Sequence, residues 1–84
     1  MLDKVISIIS EYQDIPADTI RADSHLVNDL GFSSLDAAEL TYRIEDEFDI
    51  EVPDRKIKLF KTVQDIVKYL ETALEEWAKT ILLQ

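Results

Sequence analysis

The sequence predicts an all-α fold, namely a small four-helix bundle with three longer helices, one short third helix and a long loop between helices 1 and 2. Two observations predict this fold. Apolar residues recur at helical spacing along the chain, and no stretch alternates apolar and polar residues as a strand does. The chain has 84 residues, of which 46% are hydrophobic, with one Gly and two Pro. This composition favours a single packed domain over residues 1–84.

The first helix is predicted over residues 2–13, where the apolar residues at helical spacing are Leu2, Val5, Ile6, Ile9 and Tyr12. The stretch from Asp14 to Ser33 has no sustained period and contains Pro16 and Gly31. It therefore predicts a long loop with a short turn at residues 16–18. We expect the apolar residues of this loop to pin it to the core, and these are Ile15, Ile20, Leu26, Val27 and Leu30.

The second helix is predicted to start at Ser33 or Ser34 and to end near Phe48. Ser33 as N-cap, with Asp36 at the third helical position, approximates a capping box. At about 100° per residue the helix has two apolar stripes on nearly opposite faces. The core face contains Ala37, Leu40, Ile44 and Phe48, and the second stripe contains Leu35, Ala38 and Tyr42.

Acidic residues flank this second stripe, namely Glu39, Glu45, Asp46 and Asp49. An apolar centre with a charged rim is the layout of a protein interface. The alternative is that Leu35 and Tyr42 pack inside the domain, on the long loop or on the third helix.

Pro53 disfavours helix at Val52, so the chain is expected to be extended there. Asp54 is predicted to cap a short third helix that ends at Phe60. Thr62 is predicted to cap the fourth helix, whose apolar stripe contains Val63, Ile66, Val67, Leu70, Ala73, Leu74, Trp77 and Ile81.

Residues 74–84 extend the fourth helix with a further set of apolar side chains, Leu74, Trp77, Ala78, Ile81 and Leu82. Either this segment packs its own stripe on the bundle, or it offers an apolar patch to a partner or to a second copy. The sequence leaves both open.

The formal net charge is −9, from 9 basic and 18 acidic residues. Such a chain is repelled by nucleic acid and attracted to partners with basic patches. The charge is uneven. Residues 36–54 hold eight acids against Arg43 alone, and residues 55–61 hold four bases and no acid, Arg55, Lys56, Lys58 and Lys61.

The chain has no Cys, so it has no thiol chemistry of its own. Its first residues do not show the basic start and apolar block of a secretion signal, and its apolar runs are too short to span a bilayer, so we expect a cytoplasmic monomer. The acid-rich stretch from Asp46 to Asp54 lacks the ligand spacing of a calcium loop, so no metal site is predicted.

His25 is the only histidine and is expected to lie on solvated surface. The residues around Ser34 match no nucleophile motif, so a hydrolase that uses Ser34 as nucleophile and His25 as base is disfavoured.

Ser34 by itself would be interpreted as a residue at a helix start. Its context is more specific, because Asp29-Leu30-Gly31-Phe32-Ser33-Ser34-Leu35-Asp36 is followed by four further motifs in fixed order. These are Glu39-Leu40, Glu45-Asp46-Glu47-Phe48, Val52-Pro53-Asp54 and Thr62-Val63-Gln64. From residue 2 to residue 73 this succession resembles the acyl carrier protein family.

The resemblance implies a carrier without enzymatic activity. Ser34 corresponds to the serine to which a phosphopantetheinyl transferase attaches 4′-phosphopantetheine, whose thiol carries acyl groups as thioesters. Acyl-transferring and acyl-modifying enzymes with basic patches would be the other partners. The family's partner-contact positions correspond to Leu35, Ala38, Glu39, Tyr42, Glu45 and Asp46. The residues expected to shelter an acyl chain are Leu40, Ile44, Phe48, Val52, Phe60 and Val67.

Three features depart from the family pattern. Ser33 replaces the Asp that commonly precedes the modified serine, Arg43 stands where a small apolar residue is common, and the third helix is basic instead of acidic. These departures favour a specialised acyl or polyketide pathway over housekeeping fatty-acid synthesis. The alternative function is a helical adaptor of the same fold, without the arm, that acts by binding through the second helix.

Overall fold

The computed structural model describes residues 1–83, with side chains described up to Glu76. The helices are α1 (Leu2–Gln13), α2 (Ser34–Phe48), α3 (Asp54–Ile57) and α4 (Val63–Leu83), and a 3-10 turn covers Ala17–Thr19. The predicted all-α bundle with a short third helix is confirmed. Over residues 1–83, extended pairing is limited to an isolated bridge between His25 and Thr62.

The core is formed where α1 packs against both α2 and α4, and where the long loop closes over one end. Its fully buried members include Val5 and Ile9 from α1, Leu40 from α2, and Ile66 and Leu70 from α4. These residues repeat at intervals of three or four along each helix, which places them on one face. The predicted core faces of α1 and α2 are therefore confirmed, and that of α4 is confirmed as far as Leu70.

The long loop is held by side chains that the pattern predicted only in part. Ile20 and Leu26 are buried, and Ile15 and Leu30 are half-buried. The prediction for Val27 is wrong, because this side chain is 58% exposed. The backbone of Leu26 donates to the Lys61 carbonyl and accepts from Phe32 N–H, each at 2.9 Å, which fixes the loop here. With Leu26 directed inward, the adjacent Val27 faces solvent.

The short helix α3 differs from its prediction at both ends. Its N-cap is Pro53 and Asp54 makes no capping hydrogen bond, so the predicted cap is wrong. The helix ends at Ile57 and not at Phe60. Beyond it the chain tightens into turns, since Phe60 N–H donates to the Ile57 carbonyl three residues back.

Helix α4 begins as predicted, in a capping arrangement. The Asp65 carboxylate accepts hydrogen bonds from the backbone N–H groups of Thr62 and Lys61, and Asp65 N–H donates to Thr62 Oγ1.

The predictions for the apolar tail rest on Trp77, Ala78, Ile81 and Leu82, whose side chains lie outside the described part of the chain. None of the helices within residues 1–83 is both long and apolar enough to cross a bilayer.

Helices α1 and α2 end in the same way. Asp14 follows α1 and Asp49 follows α2, both in the left-handed conformation with φ of 56° and 55°. Each backbone N–H closes the last turn on a carbonyl of its helix, Ser10 for Asp14 and Glu45 for Asp49. This is the usual helix C-cap conformation, with Asp in a place that Gly commonly occupies.

Replacing Leu26 with Ala should lower the free energy of unfolding by about 2–4 kcal/mol, because it empties a buried site that anchors the loop. The matched control is Val27→Ala, which should change it by no more than about 0.5 kcal/mol, since Val27 is exposed. Urea denaturation followed by circular dichroism measures both. Equal effects of the two substitutions would contradict this description of the loop.

Candidate functional site

The candidate site lies where the long loop turns into α2. Gly31 adopts a positive φ of 73°, which side chains other than Gly rarely adopt, and this directs the chain into the helix. Ser33 is the N-cap: its Oγ accepts from Asp36 N–H at 3.2 Å, and its N–H donates to Asp36 Oδ2 at 3.0 Å. The predicted capping box is confirmed, and Ser34 is the first residue of the helix.

Ser34 is therefore relieved of the capping role. Its side chain is exposed, and within the described residues its hydroxyl has no hydrogen-bond partner. The backbone N–H groups of Ser34 and Leu35 are likewise without an acceptor in this part of the chain. Two free N–H groups at the positive end of a 15-residue helix would stabilise an anion attached to Ser34.

A cluster centred on Tyr12 ties α1 to this helix start. The Tyr12 hydroxyl lies 3.0 Å from Asp36 Oδ1 and 2.6 Å from Glu39 Oε2, and the guanidinium of Arg43 lies 5.1 Å from the centre of the ring. The ring also packs against Phe32 at 5.8 Å between centroids. Because a phenol has one proton, the two carboxylates share a single donor.

Two pKa values are displaced in this cluster. The pKa of Asp36 lies below its ordinary value, first because Ser33 N–H donates to it and then because the Tyr12 hydroxyl does. The pKa of Tyr12 is raised, chiefly by its hydrogen bond to Glu39. The sequence pattern identified Tyr12 only as a residue of the α1 stripe. Its partners lie 24 or more residues away, and no local pattern indicates them.

The second stripe of α2 faces solvent. Leu35 is 68% exposed, Tyr42 is 62% exposed, and Ala38 is half-buried. The alternative in which Leu35 and Tyr42 pack inside the domain is therefore wrong.

The carboxylates around this stripe are not equivalent. Asp46 is exposed, whereas Glu39 accepts from Tyr12 and Glu45 Oε2 accepts from Val52 N–H at 2.9 Å. Glu47, on the same helix, forms an ion pair with Lys4 at 2.7 Å.

Of the residues predicted to shelter an acyl chain, all but Val52 belong to the core cluster or pack against it. Leu40, Ile44, Val52 and Val67 are buried, and Phe48 and Phe60 are half-buried. Phe60 also lines a surface cleft of about 200 Å³, together with Lys56, Leu59, Asp65 and Tyr69. The edge of one ring meets the face of the other between Phe60 and Tyr69, at 5.6 Å.

His25 does not lie on solvated surface as predicted. It is half-buried, its Nδ1 accepts from Asn28 N–H at 3.1 Å, and its backbone N–H donates to Asp29 Oδ2 at 2.7 Å. The imidazole thus closes a turn of the loop, and no described contact joins it to Ser34. Through Glu76, the side chains include no cluster of three or more acidic or histidine residues able to hold a metal ion.

The chain is similar to known proteins over most of its length. The family model for the phosphopantetheine attachment site matches residues 3–70. The acyl carrier protein of Bdellovibrio bacteriovorus is 44% identical over 68 residues, which cover 81% of this chain and 87% of that protein. The acyl carrier protein of Prochlorococcus marinus is 44% identical over 71 residues, which cover 84% and 89% of the two chains.

Replacing Tyr12 with Phe should raise the pKa of Asp36 towards its ordinary value of 3.8, because one of its hydrogen-bond donors is lost while the ring is kept. The pKa should remain below that value, since Ser33 N–H still donates. A carboxyl-selective NMR titration measures this shift. Tyr69→Phe is the control, because it removes a phenol that does not contact Asp36.

The lowered pKa of Asp36 determines how the free energy of unfolding changes with pH. The folded-state pKa of Asp36 lies below the unfolded value, so its contribution to stability is complete above the unfolded pKa and is lost as pH falls through the folded one. In Tyr12→Phe this acid-sensitive contribution should shrink, so unfolding free energy should fall less steeply below about pH 4. If the unfolding free energy of Tyr12→Phe fell with acid as steeply as that of the wild type, the hydrogen bond from Tyr12 to Asp36 would be contradicted.

Proposed function

Because the chain belongs to the acyl carrier protein family, we propose that Ser34 is the residue to which its 4′-phosphopantetheine arm is attached. Members of this family are carriers and not catalysts, and their cofactor is covalently attached phosphopantetheine. The observation that carries the assignment is the contrast between two neighbouring serines. Ser33 is engaged in the capping box, while Ser34 is exposed and has no described hydrogen-bond partner.

The surroundings of Ser34 fit such a group. The phosphodiester would lie beside the free N–H groups of Ser34 and Leu35, where the helix dipole favours a negative charge. When attached, the arm supplies the thiol that holds acyl groups as thioesters, and the chain itself has no Cys. Gly31 is needed for its positive φ of 73°, which lets the chain turn into the helix that begins at Ser34. The protein's contribution is thus attachment, charge stabilisation and access.

The exposed stripe of Leu35, Ala38 and Tyr42 is proposed to be the docking surface for partner enzymes. Exposed aromatic and aliphatic side chains at the centre of such a surface supply most of the contact energy. Asp46 is a free rim carboxylate, which favours partners with basic patches. Glu39 and Glu45 are proposed as weaker contacts, because each is already occupied by a hydrogen bond within the chain.

We further propose that acyl cargo enters between α2 and α4, among Leu40, Ile44 and Val67. These side chains form an apolar interior next to the helix that bears Ser34. A small domain with modest stability can separate its helices at limited cost. Phe60 and Phe48 are half-buried and lie at the edge of this region, where side chains have the freedom to move aside.

The pathway is proposed to be a specialised acyl or polyketide one rather than general fatty-acid synthesis. Ser33 preserves the cap without the negative charge of Asp, so the fold is kept while the charge next to Ser34 changes. Arg43 adds a cation to the acidic helix, over the Tyr12 ring. Partners that recognise a uniformly acidic surface would bind such a carrier less tightly.

Intact mass spectrometry tests the attachment site. Incubated with coenzyme A and a phosphopantetheinyl transferase, the wild-type protein should gain the mass of one phosphopantetheine. Ser34→Ala should gain nothing, because the accepting hydroxyl is absent. Ser33→Ala is the matched control, which loses the cap but keeps the acceptor, and it should still be modified. No gain in the wild type would instead favour the arm-free adaptor.

The docking surface can be tested on the same loading reaction. The double substitution Leu35→Ala with Tyr42→Ala should raise the transferase KM for the carrier about tenfold, since it removes the exposed apolar centre. Both side chains are exposed, so the circular dichroism spectrum and unfolding midpoint should be unchanged. Val27→Ala, an exposed apolar residue outside α2, should leave KM unaltered. An unchanged KM in the double variant would count against this surface.

A further inference from the structure

We propose that the segment from α3 to the start of α4 is a second docking surface, which binds an acidic surface with apolar side chains on the same partner that engages α2. The surface, called here the basic surface, has an apolar centre of Leu59, Phe60 and Tyr69. Four cations surround this centre along the chain, Arg55, Lys56, Lys58 and Lys61. The proposal rests on the proposed function, because it concerns the partners of a carrier.

The centre of the basic surface is open to solvent. Leu59 is 62% exposed, and Phe60 and Tyr69 beside it are half-buried. It borders the cleft of about 200 Å³ that Lys56, Phe60, Asp65 and Tyr69 complete. An exposed leucine beside an aromatic pair provides an apolar contact of the kind found at the centre of interfaces.

The four cations of this surface are not neutralised by any side chain that the structure describes. Lys4 forms an ion pair with Glu47, and no such pair is found for any of these four cations in the part of the chain whose side chains are described. The carboxylate in the cleft, Asp65, is occupied by the N–H groups of Lys61 and Thr62 at 2.9 and 3.0 Å. The cations therefore remain available to carboxylates from outside.

The basic surface is connected to the site at Ser34. The Lys61 carbonyl accepts from Leu26 N–H, and the Leu26 carbonyl accepts from Phe32 N–H, two residues before Ser34. Helix α3 also packs against α2. A partner that spans α2 and α3 would meet acidic residues along α2 and basic ones along α3. This alternation of charge would discriminate against partners whose docking patch is uniformly basic.

The presence of acids along α2 beside bases along α3 also indicates which class of partner the basic surface binds. An anionic membrane or a nucleic acid presents negative charge over a wide area, and it would meet the acids of α2 as well as these four cations. The net charge of the whole chain is −9, which opposes both. A protein surface can place its acids locally, opposite α3, and its bases opposite α2.

Amide chemical shifts of the isotopically labelled, phosphopantetheine-loaded protein test this surface. The probes are an amphipathic helical peptide with a Glu polar face and a Leu apolar face, the same peptide with Lys for Glu, and vesicles of phosphatidylcholine and phosphatidylserine in equal parts. The Glu peptide should shift the amides of residues 55–61, and the Lys peptide those of α2. The vesicles should shift neither.

Variants distinguish specific binding at the basic surface from non-specific attraction between opposite charges. Arg55→Glu with Lys58→Glu should weaken binding of the Glu peptide about tenfold, and Leu59→Ser should weaken it to a similar degree. All three side chains are exposed, so the fold should be kept. The matched control is Arg21→Glu with Lys4→Glu, which changes the net charge equally at exposed residues outside the basic surface and should bind as the wild type does.

Three results would overturn the proposal: no shifts with the Glu peptide, vesicle binding at residues 55–61, or equal weakening by the control pair. Undiminished binding by Leu59→Ser would also do so, because the attraction would then be of charge alone. The mass of the same sample reports separately on Ser34. A protein that is not loaded, or is loaded elsewhere, refutes the proposed function, whereas the shifts report on the basic surface alone.

Discussion

The backbone of Leu26 joins the two irregular segments of the chain, and the position of the site depends on it. Its N–H is bound by the Lys61 carbonyl and its carbonyl by Phe32 N–H. The first bond holds the loop to the start of α4, and the second fixes the approach to α2. With the Leu26 side chain buried, the intervening turn carries Val27 outward and brings Gly31 to the place where the chain enters the helix. Twenty residues of loop thus deliver one serine in a defined orientation.

Local chemistry explains why much of the fold could be predicted from the sequence. The starts of α2 and α4 are set by Ser33 with Asp36 and by Thr62 with Asp65, pairs three residues apart whose capping role does not depend on the rest of the fold. The prediction failed where long-range contacts decide. Nothing near Val27 indicates that Leu26, and not its neighbour, faces the core. The cluster of Tyr12 with Asp36 and Glu39 joins separate helices and was likewise not predicted.

Charge on this carrier has two distinct uses. Some acids accept hydrogen bonds within the chain: Asp36 and Asp65 cap helices, Glu45 holds the Val52 N–H, and the exposed Glu39 is bound by Tyr12. Others, such as Asp46, are exposed and have no described partner within the chain. Counting acidic residues along α2 therefore overstates the charge that a partner can use. The basic side chains of α3 differ from these acids, because none of them forms an ion pair within the described structure.

The two left-handed aspartates bear on how this scaffold could be engineered. Asp14 and Asp49 adopt φ values that Gly tolerates better, and each places a negative charge at the negative end of a helix. The chain has one glycine, and it is used at residue 31. Both helix ends therefore retain unexploited thermostability. A more heat-tolerant carrier scaffold could be sought at Asp14 first, because Asp49 also flanks the stripe of α2 that partners are proposed to touch.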